Sequence, residues 1–276
     1  MWLTAAVALL ISVFAWLANV ALWADRSVID EEAFTATVAR VLVSDPARAE
    51  IAETIVDEAI EQVPVLALVK SPLTGIVASI LGTELMENTV EFTARQAYLT
   101  VVEGEMAPLV ISLIEVKDAL LGFLEGFAPD VVELIPEAFF EAFEVLEEGA
   151  LPSYSRLAAA APWLWPIAAL LGIGLAVTLL ASSPRRPQAL IAIGVALVVG
   201  ALLTFVAGRI AQSAIIDDLK GDLVRLLGEL SYDAFHASLV RQTLFLLGSG
   251  LLVMLGGAVW LAIETAGSQR VRPKPI

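Results

Sequence analysis

The sequence predicts an all-α membrane protein, with four transmembrane helices and an extracytoplasmic helical bundle. Three observations carry that prediction. Hydrophobic residues make up 58% of the 276-residue chain, above the roughly 45–50% usual in soluble domains, and the excess sits in four uncharged blocks. Basic residues free of acidic neighbours cluster in a short loop and in the C-terminal tail. Acids crowd into one long segment: residues 25–156 hold 25 Asp and Glu against 7 Lys and Arg, within a chain of net charge −15.

The first block, residues 2–24, carries no charge until Asp25 and meets the roughly 20 apolar residues a spanning helix needs. A cleaved signal peptide is the alternative, but such peptides start basic and have a shorter apolar core. The block therefore reads as an uncleaved anchor. The second block is 162–182, the third 189–208 and the fourth 244–263, all without Asp, Glu, Lys, Arg or His. Residues 183–188 form a basic loop with Arg185 and Arg186, and the tail 264–276 carries Arg270, Arg272 and Lys274. Short basic loops stay cytoplasmic. Four spans then give a multi-pass plasma-membrane protein with both termini cytoplasmic and with residues 25–161 and 209–243 extracytoplasmic. Trp23, Trp163 and Trp165 fall at the outer interface and Trp260 near the inner one, where amphipathic rings settle.

The acidic segment 25–161 reads as helices punctuated by proline. Asp30 starts one helix through Phe34, Val38, Val41 and Leu42. Asp45 is the expected N-cap of the next, with Pro46 in its first turn and Ile51, Ile55, Val56, Ala59, Ile60 and Val63 on one face. Ser71-Pro72 starts another that runs to about Val102, weakened at Gly82. The apolar run from Val63 to Met86 resembles a fifth span, but Pro64, Lys70, Pro72, Gly75 and Gly82 favour a buried helix outside the membrane. An amphipathic helical stretch is expected over 107–124. No strand alternation or hairpin dipeptide stands out.

From Pro136 to Pro152 the spacing predicts a helix with Glu137, Glu141, Glu144 and Glu148 within an arc of about 60° and Phe139, Ala142, Phe143 and Leu146 opposite. No Lys or Arg lies between Lys117 and Arg156. The stripe is read as a solvated face that can meet a partner. Loose divalent-cation binding is the lesser alternative, since carboxylates suit Ca²⁺ or Mg²⁺. Phe143→Asp is expected to disrupt the ectodomain and Glu141→Gln to leave folding intact. In residues 209–243, Ile215, Ile216, Leu219, Leu223, Leu226 and Leu227 recur at helical spacing, and the two outer parts are expected to share a core.

The stretch WADRSVIDEEAFTATVARVLVSDPARAEIAETIVDEAIEQVP after the first span, with SPRRPQALIAIG and YDAFHASLVRQTLFLLGSG further on, resembles a group of uncharacterised bacterial membrane proteins common in actinobacteria. The resemblance implies the same order of one span, a helical outer region, a span pair joined by an Arg-rich loop, and a last span. It implies an envelope location and transfers no functional residue.

Chemistry is sparsely written. With no cysteine, disulfides, thiolate catalysis and Cys-type zinc sites are excluded. His236, the single histidine, reads as a structural residue near a helix end. Nucleotide-loop, zincin, EF-hand and nucleophile-elbow motifs are lacking, so no cofactor is expected. Strong acidity argues against nucleic acid. Ala196, Gly200 and Thr204 in the third span and Gly248, Gly250, Gly256 and Gly257 in the fourth are candidate helix-packing positions, within the chain or at a dimer seam. Spans without ionisable groups disfavour a coupled transporter. The polar residues Ser12, Asn19, Thr178, Thr204 and Ser249 look scattered. The sequence-level reading is a non-enzymatic cell-envelope protein. Its ectodomain acts as scaffold or interaction module, and its partners are the lipid bilayer and an envelope protein or a second copy. The alternatives are lipid or apolar-ligand handling by the ectodomain, and a pore or transporter subunit.

Overall fold

A bilayer offers the backbone no hydrogen-bonding partner, so uncharged runs satisfy their amides internally as helices. The computed structural model follows that rule and describes residues 2–105, 108–111, 117, 121–122, 125–126, 143–146, 153–216, 219 and 221–270. In order they form α1 (Trp2–Ala24), α2 (Glu31–Leu42), α3 (Asp45–Gln62), α4 (Lys70–Leu81), α5 (Glu87–Tyr98), β1 (Leu109–Ile111), β2 (Phe143–Leu146), α6 (Ser155–Ser182), α7 (Arg186–Ile216) and α8 (Asp222–Arg270). Among the described residues, five helical stretches are long and apolar enough to cross a membrane: Thr4–Ile29, Pro64–Leu81, Ser155–Ser182, Arg186–Ile216 and Asp222–Ala266. The chain is thus a predominantly helical multi-pass membrane protein.

Two compact units share the chain. One comprises Met1–Arg26, Leu157–Ser213 and His236–Ile276, the other Ser27–Arg156 and Ala214–Phe235. The first holds the long apolar helices. Ile11, Leu179, Ala189 and Ala196 form its buried cluster, with Val7, Leu175, Ala192 and Ile193 packed around them. Large side chains face outward: Leu170, Val206 and Leu252 are 70%, 57% and 72% exposed. Small residues inside and large apolar ones outside is the pattern of a bundle solvated by lipid.

α6, α7 and α8 overrun the predicted spans. Four alanines, Ala158–Ala161, precede Pro162, and these strong helix formers carry α6 back to Ser155 with Pro162 and Pro166 inside it. Pro187 sits in the first turn of α7, where its missing N–H costs nothing. The segment 209–243 is not one separate helix. α7 continues to Ile216 and α8 begins at Asp222, just after Gly221 at φ +90. A side chain at that φ would be strained, so glycine makes the turn.

In the second unit α2 packs on α5 and α3 on α4. Asp30 caps α2, its carboxylate accepting from Ala33 N at 2.9 Å. Ser44, not Asp45, is the N-cap of α3 and lacks a side-chain cap bond; Asp45 instead pairs with Arg48. Ile51, Ile55 and Val56 are almost wholly buried. The run from Val63 breaks into a 3₁₀ turn, Pro64–Val69, followed by α4. Leu66, Leu73, Val77 and Leu81 are buried, and Lys70 pairs with Glu53 at 3.2 Å and Asp57 at 2.6 Å. α4 stops at Gly82, a 3₁₀ turn covers Glu84–Met86, and α5 follows. Phe34 meets Tyr98 and Phe235, with ring centroids 5.5 and 5.3 Å apart, so the start of α8 shares this unit's core.

β1 and β2 correct the helix predictions at both places. They pair antiparallel, with Leu109 opposite Leu146, Val110 opposite Glu144 and Ile111 opposite Phe143. Phe, Val and Ile favour pleated backbone, and glutamates four apart weaken a helix. α5 holds β1 in place. Thr93 Oγ1 lies 2.9 Å from the Val110 carbonyl, and Val110 N donates to Gln96 Oε1 at 3.4 Å.

Candidate functional site: a polar node in the apolar unit and a charged groove on the helical unit

Polar side chains are costly in lipid unless they meet one another. Two of the residues that look scattered in sequence do meet. Asn19 on α1 donates through Nδ2 to Thr204 Oγ1 on α7 at 3.3 Å and to Thr243 Oγ1 on α8 at 3.0 Å. Gln242 Nε2 donates to the Asn19 carbonyl at 2.8 Å and to Asn19 Oδ1 at 3.1 Å. Thr204 passes its own proton to Gly200 O at 3.2 Å. Asn19, Thr204 and Thr243 are all buried. One amide thus ties three helices together.

The remaining polar residues do not join this node. Ser12, Thr178 and Ser249 each donate to the carbonyl four residues earlier, the usual way for a span to silence a hydroxyl. Two tryptophans anchor the unit beyond the node. Trp23 Nε1 donates to Ser238 Oγ at 2.8 Å and Trp165 Nε1 to Asp25 Oδ2 at 3.1 Å. Trp163 is largely exposed.

The small residues divide into two sets. A Cβ placed on Gly200 would stand 2.9 Å from Ser12 O, so α1 and α7 touch backbone to backbone there. Gly250 and Gly257 meet α7 at similar range, Gly250 against Gly194 O at 3.0 Å and Gly257 against Pro187 O at 2.9 Å. Ala196 and Thr204 are buried on α7. Gly248 and Gly256 face open space, with nothing within 4 Å. Gly194, absent from the sequence-level candidates, makes the tightest of these approaches, a Cβ there lying 2.6 Å from Met254 N. Its signal lies in pairing two helices, not in spacing along one.

The second feature is a groove of about 900 Å³ along α2 and α5. Glu31, Glu32, Glu84, Glu87 and Glu91 line it with Arg40 and Arg95, and Ala36, Ala39 and Val90 form its apolar part. Arg95 Nε pairs with Glu31 at 2.9 Å. Thr35 Oγ1, also in the lining, is buried without a hydrogen-bond partner. At the end of α5, Tyr98 donates to Ile29 O at 2.9 Å. Burial first, then Glu103, Glu31 and Asp30, raises the Tyr98 phenol above its ordinary value, because each disfavours the phenolate. Among the described residues no three His, Asp or Glu side chains are placed to hold a metal ion.

Of the predicted acidic stripe, Glu144 lies in β2 opposite Val110; Glu137, Glu141 and Glu148 lie outside the described residues. The described carboxylates that gather in a groove are others, on α2, α5 and the turn between α4 and α5. No family model, curated protein or solved structure matches the chain.

Proposed function

We propose a non-enzymatic role as an integral membrane scaffold of the cell envelope. Four spans, within α1, α6, α7 and α8, anchor it. The helical unit lies on the extracytoplasmic side and offers the α2–α5 groove to a basic segment of an envelope protein. The groove carries this reading: five glutamates and an unmet buried hydroxyl border an open, partly apolar channel, a surface suited to attracting cations and closing over a side chain. The polar node supports the anchoring role, because its hydrogen bonds are made between helices. The basic loop 183–188 and tail support cytoplasmic termini. Packing of α4 on α3 and the Lys70 ion pairs favour counting Pro64–Leu81 with the helical unit rather than as a span.

A chain without native cysteine permits single-cysteine tests without background. In intact cells Glu58→Cys and Thr83→Cys should both react with an impermeant maleimide, and Ser183→Cys only after permeabilisation. Labelling of Glu58→Cys and Thr83→Cys on opposite sides would make Pro64–Leu81 a span and overturn the topology. A photocrosslinker on Ala36→Cys should give a protein adduct in native membranes that Glu87→Lys with Glu91→Lys abolishes. Absence of any adduct from the groove, with the chain folded and inserted, would overturn the scaffold reading.

A further inference from the structure

Where α7 leaves its uncharged run, a second groove opens against α8. Phe205, Val206, Arg209 and Ile210 of α7 line it with His236 and Val240 of α8. Its two kinds of surface are segregated by chemistry. Phe205, Val206, Ile210 and Val240 supply an apolar slot, with Val206 and Ile210 well exposed. Arg209 and His236 stand at one level, because the helices run antiparallel from the Gly194–Gly250 contact and counting outward along both brings 209 opposite about 236.

That level is fixed against a bilayer by α7 itself. Arg186 and Arg209 bracket a run without charge. At about 1.5 Å per residue they stand about 35 Å apart along the axis. A hydrocarbon core is about 30 Å thick, so Arg209 lies at head-group depth when α7 spans. It is exposed and forms no ion pair among the described residues. A guanidinium has donors arranged to fit phosphate oxygens, and the slot beside it is continuous with lipid-facing apolar surface.

We propose that this groove seats a phospholipid: Arg209 donates to the phosphate, His236 borders the head group, and one acyl chain lies along Val206, Ile210 and Val240. The proposal goes beyond the scaffold reading and stands or falls separately from it. The test uses the full chain, stripped of lipid in detergent and titrated with dioleoyl phosphatidylglycerol under native mass spectrometry. The first lipid should bind about tenfold more weakly to Arg209→Gln, the loss expected for one charge-assisted hydrogen bond. Arg209→Lys should lose less. Arg185→Gln, at the other end of α6 and α7, should bind as the parent does. Dioleoylglycerol, lacking the phosphate, should bind the parent no better than phosphatidylglycerol binds Arg209→Gln.

Four results would overturn the proposal. One is a stripped parent chain that holds no lipid. Two more are Arg209→Gln binding as tightly as the parent, and Arg185→Gln losing as much, which would mean diffuse charge attraction. Displacement of the lipid by millimolar inorganic phosphate would mean a free-anion site.

Discussion

Replacing Asn19 by Leu tests how much the polar node contributes to the apolar unit. The substitution removes three side-chain hydrogen bonds: to Thr204 at 3.3 Å, to Thr243 at 3.0 Å and from Gln242 at 3.1 Å. Hydrogen bonds between membrane helices average about 0.6 kcal/mol each, so the expected loss is about 2 kcal/mol. Little is added for orphaned donors. Thr204 keeps its bond to Gly200 O and Gln242 keeps the backbone carbonyl of residue 19. Equilibrium unfolding of the full chain in mixed micelles, followed by tryptophan fluorescence, measures the change. A double-mutant cycle with Thr243→Val isolates the shorter bond and should give a coupling of about 0.6 kcal/mol. An unchanged Asn19→Leu variant, or a coupling indistinguishable from zero, would refute the view that the amide ties α1 to α7 and α8.

Three further outcomes follow from particular contacts. Gly194→Ala places a methyl group 2.6 Å from Met254 N and 2.7 Å from Gly250 O; backbone cannot swing aside, so a loss of about 1–3 kcal/mol is expected. Gly256→Ala, with nothing within 4 Å, should change stability by less than about 0.5 kcal/mol in the same titration. Tyr98→Phe keeps the ring beside Phe34 but loses the hydrogen bond to Ile29 O, costing about 1 kcal/mol near neutrality. The folded phenol titrates above the ordinary value of 10.0. Its contribution is therefore complete below about pH 10 and lost as pH rises through the folded value. Thermal unfolding between about pH 8 and 11 should fall more steeply for the parent than for Tyr98→Phe; parallel curves would contradict the burial argument.

The apolar helices were legible because their signal is local. A run without charge reports its own length, and α1 spans the same residues, Trp2–Ala24, that hydropathy alone assigns. Asp30 as a cap is equally local. What escaped the sequence depends on pairing at a distance. Phe143–Leu146 fits a helix face and a strand equally well over four residues, and its partner β1 lies more than 30 residues earlier. Gly194 shows its role only once α8 is laid beside α7. Asn19 carried a signal that could have been used. An amide inside an apolar block demands partners, and Thr204, Gln242 and Thr243 lie at matching depth near the ends of later spans. Of the grooves, the one along α2 and α5 was hidden because its acids come from separate elements. Of the stripe at Glu137–Glu148, only Glu144 falls among the described residues, in β2.

The node also imposes an order in time. Asn19 is made first, and its partners Thr204 and Thr243 follow 185 and 224 residues later. At about 5–20 residues per second, the amide is without those partners for roughly 10 to 45 s of synthesis. With α1 and α8 as spans, α1 would enter the bilayer before either hydroxyl partner of its amide exists, and its packing would be completed only when α8 arrives.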